Sequence, residues 1–143
     1  MNIYVIRHGQ TNWNVEKKFQ GRTNTFLTEV GKQQAQNLAE VFKNIDIDYI
    51  LCSPLQRAID TANIINQYKN LDIIIEPKLI ERDFGDFEGL NDISNFNCNI
   101  NKLLDFHLNY SSHHVEPIQS LFDRISLLLS QLKNNFADKN IIL

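Results

Sequence analysis

The sequence has 143 residues, about the length of one domain, and 43% of them are hydrophobic while 22% are charged. A chain of this size and composition buries an apolar core, which excludes wholesale disorder and makes a disulfide or metal framework unnecessary. Its 14 basic and 17 acidic residues give a formal net charge of −3. That balance argues against a nucleic acid or an anionic membrane as a partner. We therefore expect a single domain over residues 1–143.

The two cysteines, Cys52 and Cys98, fit neither a disulfide framework nor the close spacing of a zinc site. We expect both to be free thiols in a reducing compartment. The apolar start of the chain, residues 1–6, is too short for a signal peptide, and no segment reaches the ~20 apolar residues of a membrane span. Together these features predict a cytoplasmic protein.

Four short apolar runs alternate with stretches of helical periodicity. The runs predict strands buried in a parallel sheet, and they are residues 3–6, 49–52, 73–75 and 141–143. Three helices are predicted. The first has Thr28 as its N-cap and includes Gln34 and Phe42. The second has Ser53 as its N-cap and Pro54 as its first residue, and the third lies between Leu121 and Phe136. This order predicts an α/β fold with three α/β/α layers around a mostly parallel sheet.

The first predicted strand is followed by Arg7, His8 and Gly9. Ligands of open α/β sheets bind at the carboxyl ends of the strands, so these residues are candidates for a site. Arg7 offers a planar fork of donors that suits phosphate oxygens, and the neutral imidazole of His8 can attack phosphorus and later release the phosphoryl group to water. Gly9 would let the backbone pass close to a ligand. Taken alone, the triplet fits an ordinary loop better than a site.

Further motifs follow in a fixed order and change that interpretation. They are residues 7–14 (RHGQTNWN), 20–21 (QG), 27–31 (LTEVG), 53–58 (SPLQRA), 79–81 (LIE) and 84–89 (FGDFEG). In this order and spacing the chain resembles the histidine phosphatase superfamily, which includes the cofactor-dependent phosphoglycerate mutases. The resemblance is close from residue 2 to about residue 89 and loose beyond. It implies a phosphoglycerate mutase-like α/β fold and an enzyme that works through phosphohistidine.

The resemblance also implies a role for each matching residue. His8 would be the nucleophile, and Arg7 and Arg57 would hold the phosphoryl oxygens. Arg57 lies one turn into a predicted helix, whose N-terminal field would support the same anion. Glu81 would be the general acid that protonates the leaving oxygen and then activates water, a role that calls for partial burial beside negative charge. The substrate pocket would be completed by Asn14, Thr11, Gln20 and Gly21.

Other chemistry-bearing residues have a plainer interpretation. Glu88 is expected to support the structure, and Phe84 and Phe87 belong to the core rather than to the site. His113 and His114 are adjacent, and adjacent residues rarely chelate one ion. Since arginines and histidines can supply the positive charge that phosphoryl transfer needs, we expect neither a metal nor another cofactor.

The sequence departs from the family pattern in two places. The family carries Gly-Glu-Ser with an Arg eight residues after the Glu. Here Val115-Glu116-Pro117 precedes Arg124 at that spacing, so Glu116 is kept while the Gly and the Ser are replaced. The family's second active-site histidine follows the last apolar strand and has no counterpart up to Leu143. We therefore expect a domain that lacks the C-terminal strand and helix. Losing that donor would cost on the order of 10²–10³ in rate.

The resemblance leaves three functions open. The short interval between Gly89 and Glu116 suggests an open site, and an open site admits water, which favours hydrolysis. Our first expectation is hydrolysis of a small phosphorylated metabolite through phosphohistidine on His8. The alternatives are phosphoryl transfer of the phosphoglycerate mutase type and a catalytically impaired phosphate-binding relative.

Overall fold

A computed structural model describes residues 1–96 and 100–143 of the chain. Its strands are β1 (Asn2–Tyr4), β2 (Tyr49–Cys52), β3 (Ile73–Ile75) and β4 (Asn140–Ile142). They form one sheet in the order β1-β4-β2-β3, and every pairing is parallel. All four apolar runs therefore form strands, as the sequence predicts.

The first strand is shorter and less buried than predicted. It ends at Tyr4 rather than Ile6, and the Val5 side chain is 80% exposed. The pairing with β4 nevertheless continues, because the Ile6 N–H donates to the Leu143 carbonyl at 2.8 Å. This hydrogen bond extends the parallel pairing with the sheet up to Ile6, the residue before Arg7 and His8.

Helices and short turns connect the strands. The helices are α1 (Asn12–Val15), α2 (Glu29–Phe42), α3 (Gln56–Ile65), α4 (Ile100–Leu104) and α5 (Ile118–Asn135), with 3₁₀ turns at Asn66–Tyr68, Pro77–Leu79, Gly85–Phe87 and Ser94–Phe96. Thr28 caps α2 as predicted, since its hydroxyl accepts from the Gly31 N–H at 3.0 Å. Helix α3 begins two residues later than predicted, because the Ser53 hydroxyl accepts from the Leu55 N–H at 3.4 Å and closes a turn before the helix.

The core confirms three layers. On one face of the sheet, α2 and α3 pack through Phe42 and Ile65 against Ile50 of β2. On the other face, α5 packs through Leu128 and Leu132. Neighbouring strand residues alternate between the two faces, which is why the strands read as continuous apolar runs.

A third cluster lies outside the sheet and covers the loops after β3. Phe87 is fully buried in it beside Leu103 and Val115, and Phe84 packs against them, which confirms that both phenylalanines belong to the core. Among the described residues, no helix is long and apolar enough to cross a membrane.

The prediction that Cys52 is a free thiol is confirmed. Cys52 is a buried free thiol, and burial raises its pKa to about 11. The prediction for Cys98 falls outside the described residues. His114 is an exposed loop residue whose Nδ1 lies 2.9 Å from the Asp86 carboxylate, and this partner raises the pKa of His114.

Candidate active site

A polar cleft opens at the carboxyl end of β1, directly after the strand. Its volume is about 390 Å³, and it is lined by Arg7, His8, Gln10, Asn14 and Gln34. Four of these residues come from the first motif of the sequence, residues 7–14. The cleft therefore lies where an open α/β sheet binds its ligands.

The ring of His8 is held in one tautomer. Its Nδ1 lies 2.7 Å from the Gly9 carbonyl oxygen. Because a carbonyl only accepts, Nδ1 carries the hydrogen and donates, and Nε2 keeps its lone pair. Burial lowers the pKa of His8, and the charges of Arg57 and Arg7 lower it further, whereas the Gly9 carbonyl and Glu81 act in the opposite direction. A neutral imidazole with a nucleophilic Nε2 is the result.

Arg57 is both a charge beside His8 and part of the framework. It is the second residue of α3, rather than one turn in, and only 1% of it is exposed. Its Nη1 donates to the Thr23 carbonyl at 3.0 Å and its Nη2 donates to the Gly21 carbonyl at 2.8 Å. Its buried Nε has no hydrogen-bond partner among the described residues. Such an unpaired donor on a buried cation is unusual, and Arg57 is not part of the cleft wall, so its predicted contact with a phosphoryl group stays a prediction.

The loop that Arg57 grips needs a glycine. Gly21 has a φ of +49°, and a Cβ there would lie 1.8 Å from the Glu88 carboxylate. Glu88 accepts from the N–H groups of Arg22 and Thr23, each at 2.8 Å. Glu88 thus holds the loop from one side while Arg57 holds it from the other, in agreement with its expected structural role.

Thr11 and Gln20 bind one another behind the cleft. Thr11 is fully buried and caps α1, and its hydroxyl lies 2.7 Å from Gln20 Oε1. Neither residue is part of the cleft wall, so their predicted contact with substrate stays a prediction. Asn14 does line the cleft, and its Oδ1 accepts from the Thr11 N–H at 3.0 Å. That bond fixes the amide so that its Nδ2 remains a donor for a ligand.

Glu81 lies in the irregular segment after the Pro77–Leu79 turn. Its Oε1 accepts from the Arg82 N–H at 2.8 Å, and its side chain is exposed rather than partly buried as we expect from the sequence. The carboxylate is turned back onto its own backbone, which keeps it at the surface. Its charge raises the pKa of both His8 and Arg57, so the three side chains lie within electrostatic range of one another.

Two glutamines line the cleft although the sequence analysis does not predict them as site residues. The Gln10 N–H donates to Gln34 Oε1 at 2.9 Å. Gln10 lies within the first motif and could have been suspected from that position, but Gln34 carries no signal beyond its place in the helical pattern. It reaches the cleft because Gly9 lets this loop touch α2: a Cβ on Gly9 would lie 2.3 Å from the Gly31 carbonyl oxygen. Gly9 thus allows close packing against α2, and its expected role in the approach of a ligand stays a prediction.

A second cavity borders His8 on another side. It measures about 410 Å³, and its walls are almost entirely apolar side chains from the sheet, α3 and α5, among them Val5, Leu51, Ala62, Leu128 and Leu143. Apart from His8, Ser53 and Thr61, such walls carry no polar side chain except the Cys52 thiol, and they include no arginine or lysine to attract a phosphate group. An anion is therefore expected in the polar cleft, where Arg7 and Asn14 lie.

Known proteins are similar to this chain over nearly its whole length. A family model described as the histidine phosphatase superfamily (branch 1) matches residues 3–143. The protein named uncharacterized phosphatase PhoE of Bacillus subtilis is 32% identical over 144 residues, which are 99% of this chain and 69% of that protein.

Two further relatives carry more specific names. A probable phosphoglycerate mutase, GpmB, of Proteus mirabilis is 42% identical over 88 residues, which are 62% of this chain and 41% of that protein. The crystal structure of the α-ribazole phosphatase from Shigella flexneri superimposes with a TM-score of 0.85 at 29% identity, over 99% of this chain and 72% of that one. This chain thus spans only part of the length of each relative.

Proposed function

Because the chain belongs to branch 1 of the histidine phosphatase superfamily, we propose that it hydrolyses a small phosphorylated metabolite through a phosphohistidine on His8. The observation that carries the proposal is the state of the His8 ring. Its Nδ1–H is committed to the Gly9 carbonyl, and its pKa is lowered by burial and by two arginines. An imidazole in that state is a nucleophile at neutral pH.

Two donors and one buried positive charge support the binding of a phosphoryl group beside that nucleophile. Arg7 and Asn14 line the polar cleft with His8. Arg57 does not line the cleft, but the positive charge of its buried guanidinium acts on His8. Fixed donors of this kind stabilise the charge on the equatorial oxygens during phosphoryl transfer, and their geometry is set before substrate arrives.

The proposed reaction has two steps. His8 Nε2 attacks phosphorus, the bond from phosphorus to the leaving oxygen breaks, and that oxygen takes a proton from the carboxylic acid of Glu81. The Glu81 carboxylate then takes a proton from water, whose oxygen attacks phosphorus and breaks the P–N bond. Free phosphate leaves, and His8 returns to its neutral state.

Glu81 fits this acid and base role by position. It acts electrostatically on both His8 and Arg57, as a group beside the phosphoryl site must. Its exposed carboxyl can reach a leaving group that enters from solvent. A Glu81→Gln variant should therefore lose more rate on an alkyl phosphate than on p-nitrophenyl phosphate, because only the alkoxide leaving group needs a proton. Equal losses on the two substrates would remove Glu81 from this role.

A second candidate function is phosphoryl transfer of the mutase type. It is favoured by the 42% identity over 88 residues to the probable phosphoglycerate mutase of Proteus mirabilis. Both functions share the phosphohistidine step and differ in what accepts the phosphoryl group afterwards. Water is the acceptor in hydrolysis, whereas a hydroxyl of the bound product is the acceptor in a mutase.

One experiment separates these functions. The protein is incubated with a phosphomonoester labelled at phosphorus and, in parallel, with 3-phosphoglycerate, and free phosphate, isomerised product and acid-labile label on the protein are followed. Release of free phosphate without isomerisation supports the proposal, whereas isomerised product with little phosphate supports the mutase. Label that forms on His8 and does not discharge indicates a phosphate-binding relative.

His8→Asn is the matched control because the two side chains are similar in size and Asn lacks the nucleophile. It should form no labelled protein and lose activity by at least about 10³-fold. Full phosphate release by this variant would overturn the assignment of the nucleophile.

A further inference from the structure

The backbone around Glu81 is held from outside by two arginines. This segment has no regular hydrogen-bonding pattern between the Pro77–Leu79 turn and the turn at Gly85–Phe87. Arg22 Nε donates to the Glu81 carbonyl at 3.3 Å, and Arg124 Nη1 donates to the Lys78 carbonyl at 2.5 Å. Because the segment makes no ladder of its own, these side chains help to fix where Glu81 lies. They act together with the adjacent Arg82, which is buried and donates to the carbonyls of Glu116, Leu103 and Tyr110.

The two arginines share one carboxylate. Arg124 binds Glu116 through two parallel hydrogen bonds of 3.0 and 3.1 Å, and Arg22 Nη2 lies 3.2 Å from Glu116 Oε1. Partial burial acts to raise the pKa of Glu116, but the hydrogen bonds and charges of Arg124 and then Arg22 outweigh it, so the pKa is lowered. Glu116 therefore stays ionised and anchors the Arg22 guanidinium. Asp83, at 3.5 Å from Arg22 Nη1, adds a second negative partner.

The backbone of Arg22 belongs to the loop that Arg57 and Glu88 hold. Its N–H donates to Glu88 Oε1 at 2.8 Å. Its two neighbours in the chain, Gly21 and Thr23, are the residues whose carbonyls Arg57 binds. Arg22 thus has its main chain in the loop that Arg57 holds and its side chain on the carbonyl of Glu81.

From these contacts we infer that Arg22 is a positioning residue, which fixes the Glu81 segment relative to the Arg57 loop and so aims the proposed general acid at the phosphoryl site. The inference rests on the proposed function for the role of Glu81. It goes beyond that function because Arg22 does not line the cleft wall and acts only through Glu81.

The kinetic test compares Arg22→Gln with the wild type on two substrates. We expect Arg22→Gln to lose about tenfold in kcat on an alkyl phosphate, part of the 10²–10⁴ that general acid catalysis contributes, and much less on p-nitrophenyl phosphate. Inhibition by inorganic phosphate should be unchanged. Arg22→Lys keeps the charge but lacks the fork of donors, so it should lie between the wild type and Arg22→Gln.

A double mutant isolates the route through Glu81. If Arg22 acts only by placing that carboxyl, Arg22→Gln should add almost no further loss in a Glu81→Gln background. Lys78→Gln is the matched control, because it removes a cation from the same segment and leaves the Arg22 contacts in place. It should not change the preference between the two substrates. Equal losses on both substrates, or additive losses with Glu81→Gln, would overturn the inference.

A titration of His8 by NMR tests the inference without turnover. Removing a cation alone would raise the pKa of His8 or leave it unchanged. Glu81 raises that pKa, so moving the carboxylate away must lower it. A lower His8 pKa in Arg22→Gln, absent in Lys78→Gln, supports the positioning role even if the wild type proves to hydrolyse nothing. An unchanged or raised pKa in a folded Arg22→Gln protein counts against it.

Discussion

Arg57 Nη2 donates a 2.8 Å hydrogen bond to the carbonyl of Gly21 from a side chain that is almost completely buried. The same guanidinium reaches the Thr23 carbonyl through Nη1, and its charge acts on His8. One side chain therefore shapes the loop at the site and supplies the site with positive charge. The candidate site is rigid for this reason: its cation is fixed by the fold before any ligand arrives.

A first prediction concerns the contribution of the Arg57 hydrogen bonds to the stability of the fold. Arg57→Gln should lower the free energy of unfolding by about 2–4 kcal/mol, because it removes two hydrogen bonds from a charged donor in a buried place. Urea unfolding followed by circular dichroism measures the change. Arg7→Gln is the control, since Arg7 is exposed and its substitution should change stability by less than about 0.5 kcal/mol. Similar stabilities for the two variants would show that the carbonyl bonds of Arg57 contribute little.

A second prediction concerns the carboxylate of Glu88. Both of its oxygens accept from backbone N–H groups, those of Arg22, Thr23 and Phe84. In Glu88→Gln one oxygen becomes an NH₂ group that faces a donor, which should cost about 1–3 kcal/mol of stability. Thermal or urea unfolding measures the loss, and Glu29→Gln is the control because Glu29 is fully open to water on α2. Equal stability of the two variants would contradict the proposed clamp on the loop.

The fold was predictable because its local signals agree with one another. Residues 49–52 are apolar on both faces of a strand, as a sheet covered by helices requires, and Thr28 caps α2 through its own hydroxyl. The position of His8 follows from the end of β1 alone. The predicted burial of Val5 was wrong. The burial of a strand residue depends on which elements pack over it, and the sequence of the strand does not contain that information.

The site was predictable only in part. Arg7, His8 and Asn14 come from one continuous motif and do line the cleft. Gln34 and Arg22 reach the site region through tertiary packing, one from the middle of a helix and the other by way of the ion pairs to Glu116 and Asp83. The spacing of residues along the chain does not predict such tertiary contacts. The later start of α3 was not predicted for a similar reason. The Ser53 hydroxyl closes a turn before the helix, whereas the sequence pattern equally allows Ser53 to be the N-cap.

A third prediction tests the polar cleft as an anion site. Inorganic phosphate or vanadate should raise the melting temperature of the protein, because a ligand at 100 times its Kd stabilises the folded state by about 2.7 kcal/mol. The rise should be smaller in Arg7→Gln and in Asn14→Ala, which each remove a donor from the cleft wall. Sulfate at equal ionic strength and a titration with sodium chloride separate specific binding from screening. Equal shifts in all three proteins would place the anion elsewhere.

The ionisation of His8 links the fold to pH. Its folded-state pKa is lowered, chiefly by burial, so the unfolded chain binds a proton more readily than the folded protein does. The stability that comes from neutral His8 is therefore fully present above the ordinary histidine pKa and is lost as the pH falls through that value toward the lowered one. Formation of phosphohistidine should decline at lower pH, as the pH falls through the lowered pKa of His8 in the folded protein, because protonation removes the lone pair of Nε2.

A fourth prediction uses two variants with opposite signs. Arg7→Gln removes a cation that lowers the pKa of His8, so the His8 pKa and the acidic limb of the pH–rate profile should both move upward. Glu81→Gln removes an anion that raises it, so the His8 pKa should move downward. Proton–carbon NMR titration of the His8 ring measures both shifts, with His114 as an internal reference because it is exposed and pairs with Asp86. Shifts of the same sign in the two variants would mean that a change in burial, rather than the charges around the ring, controls its ionisation.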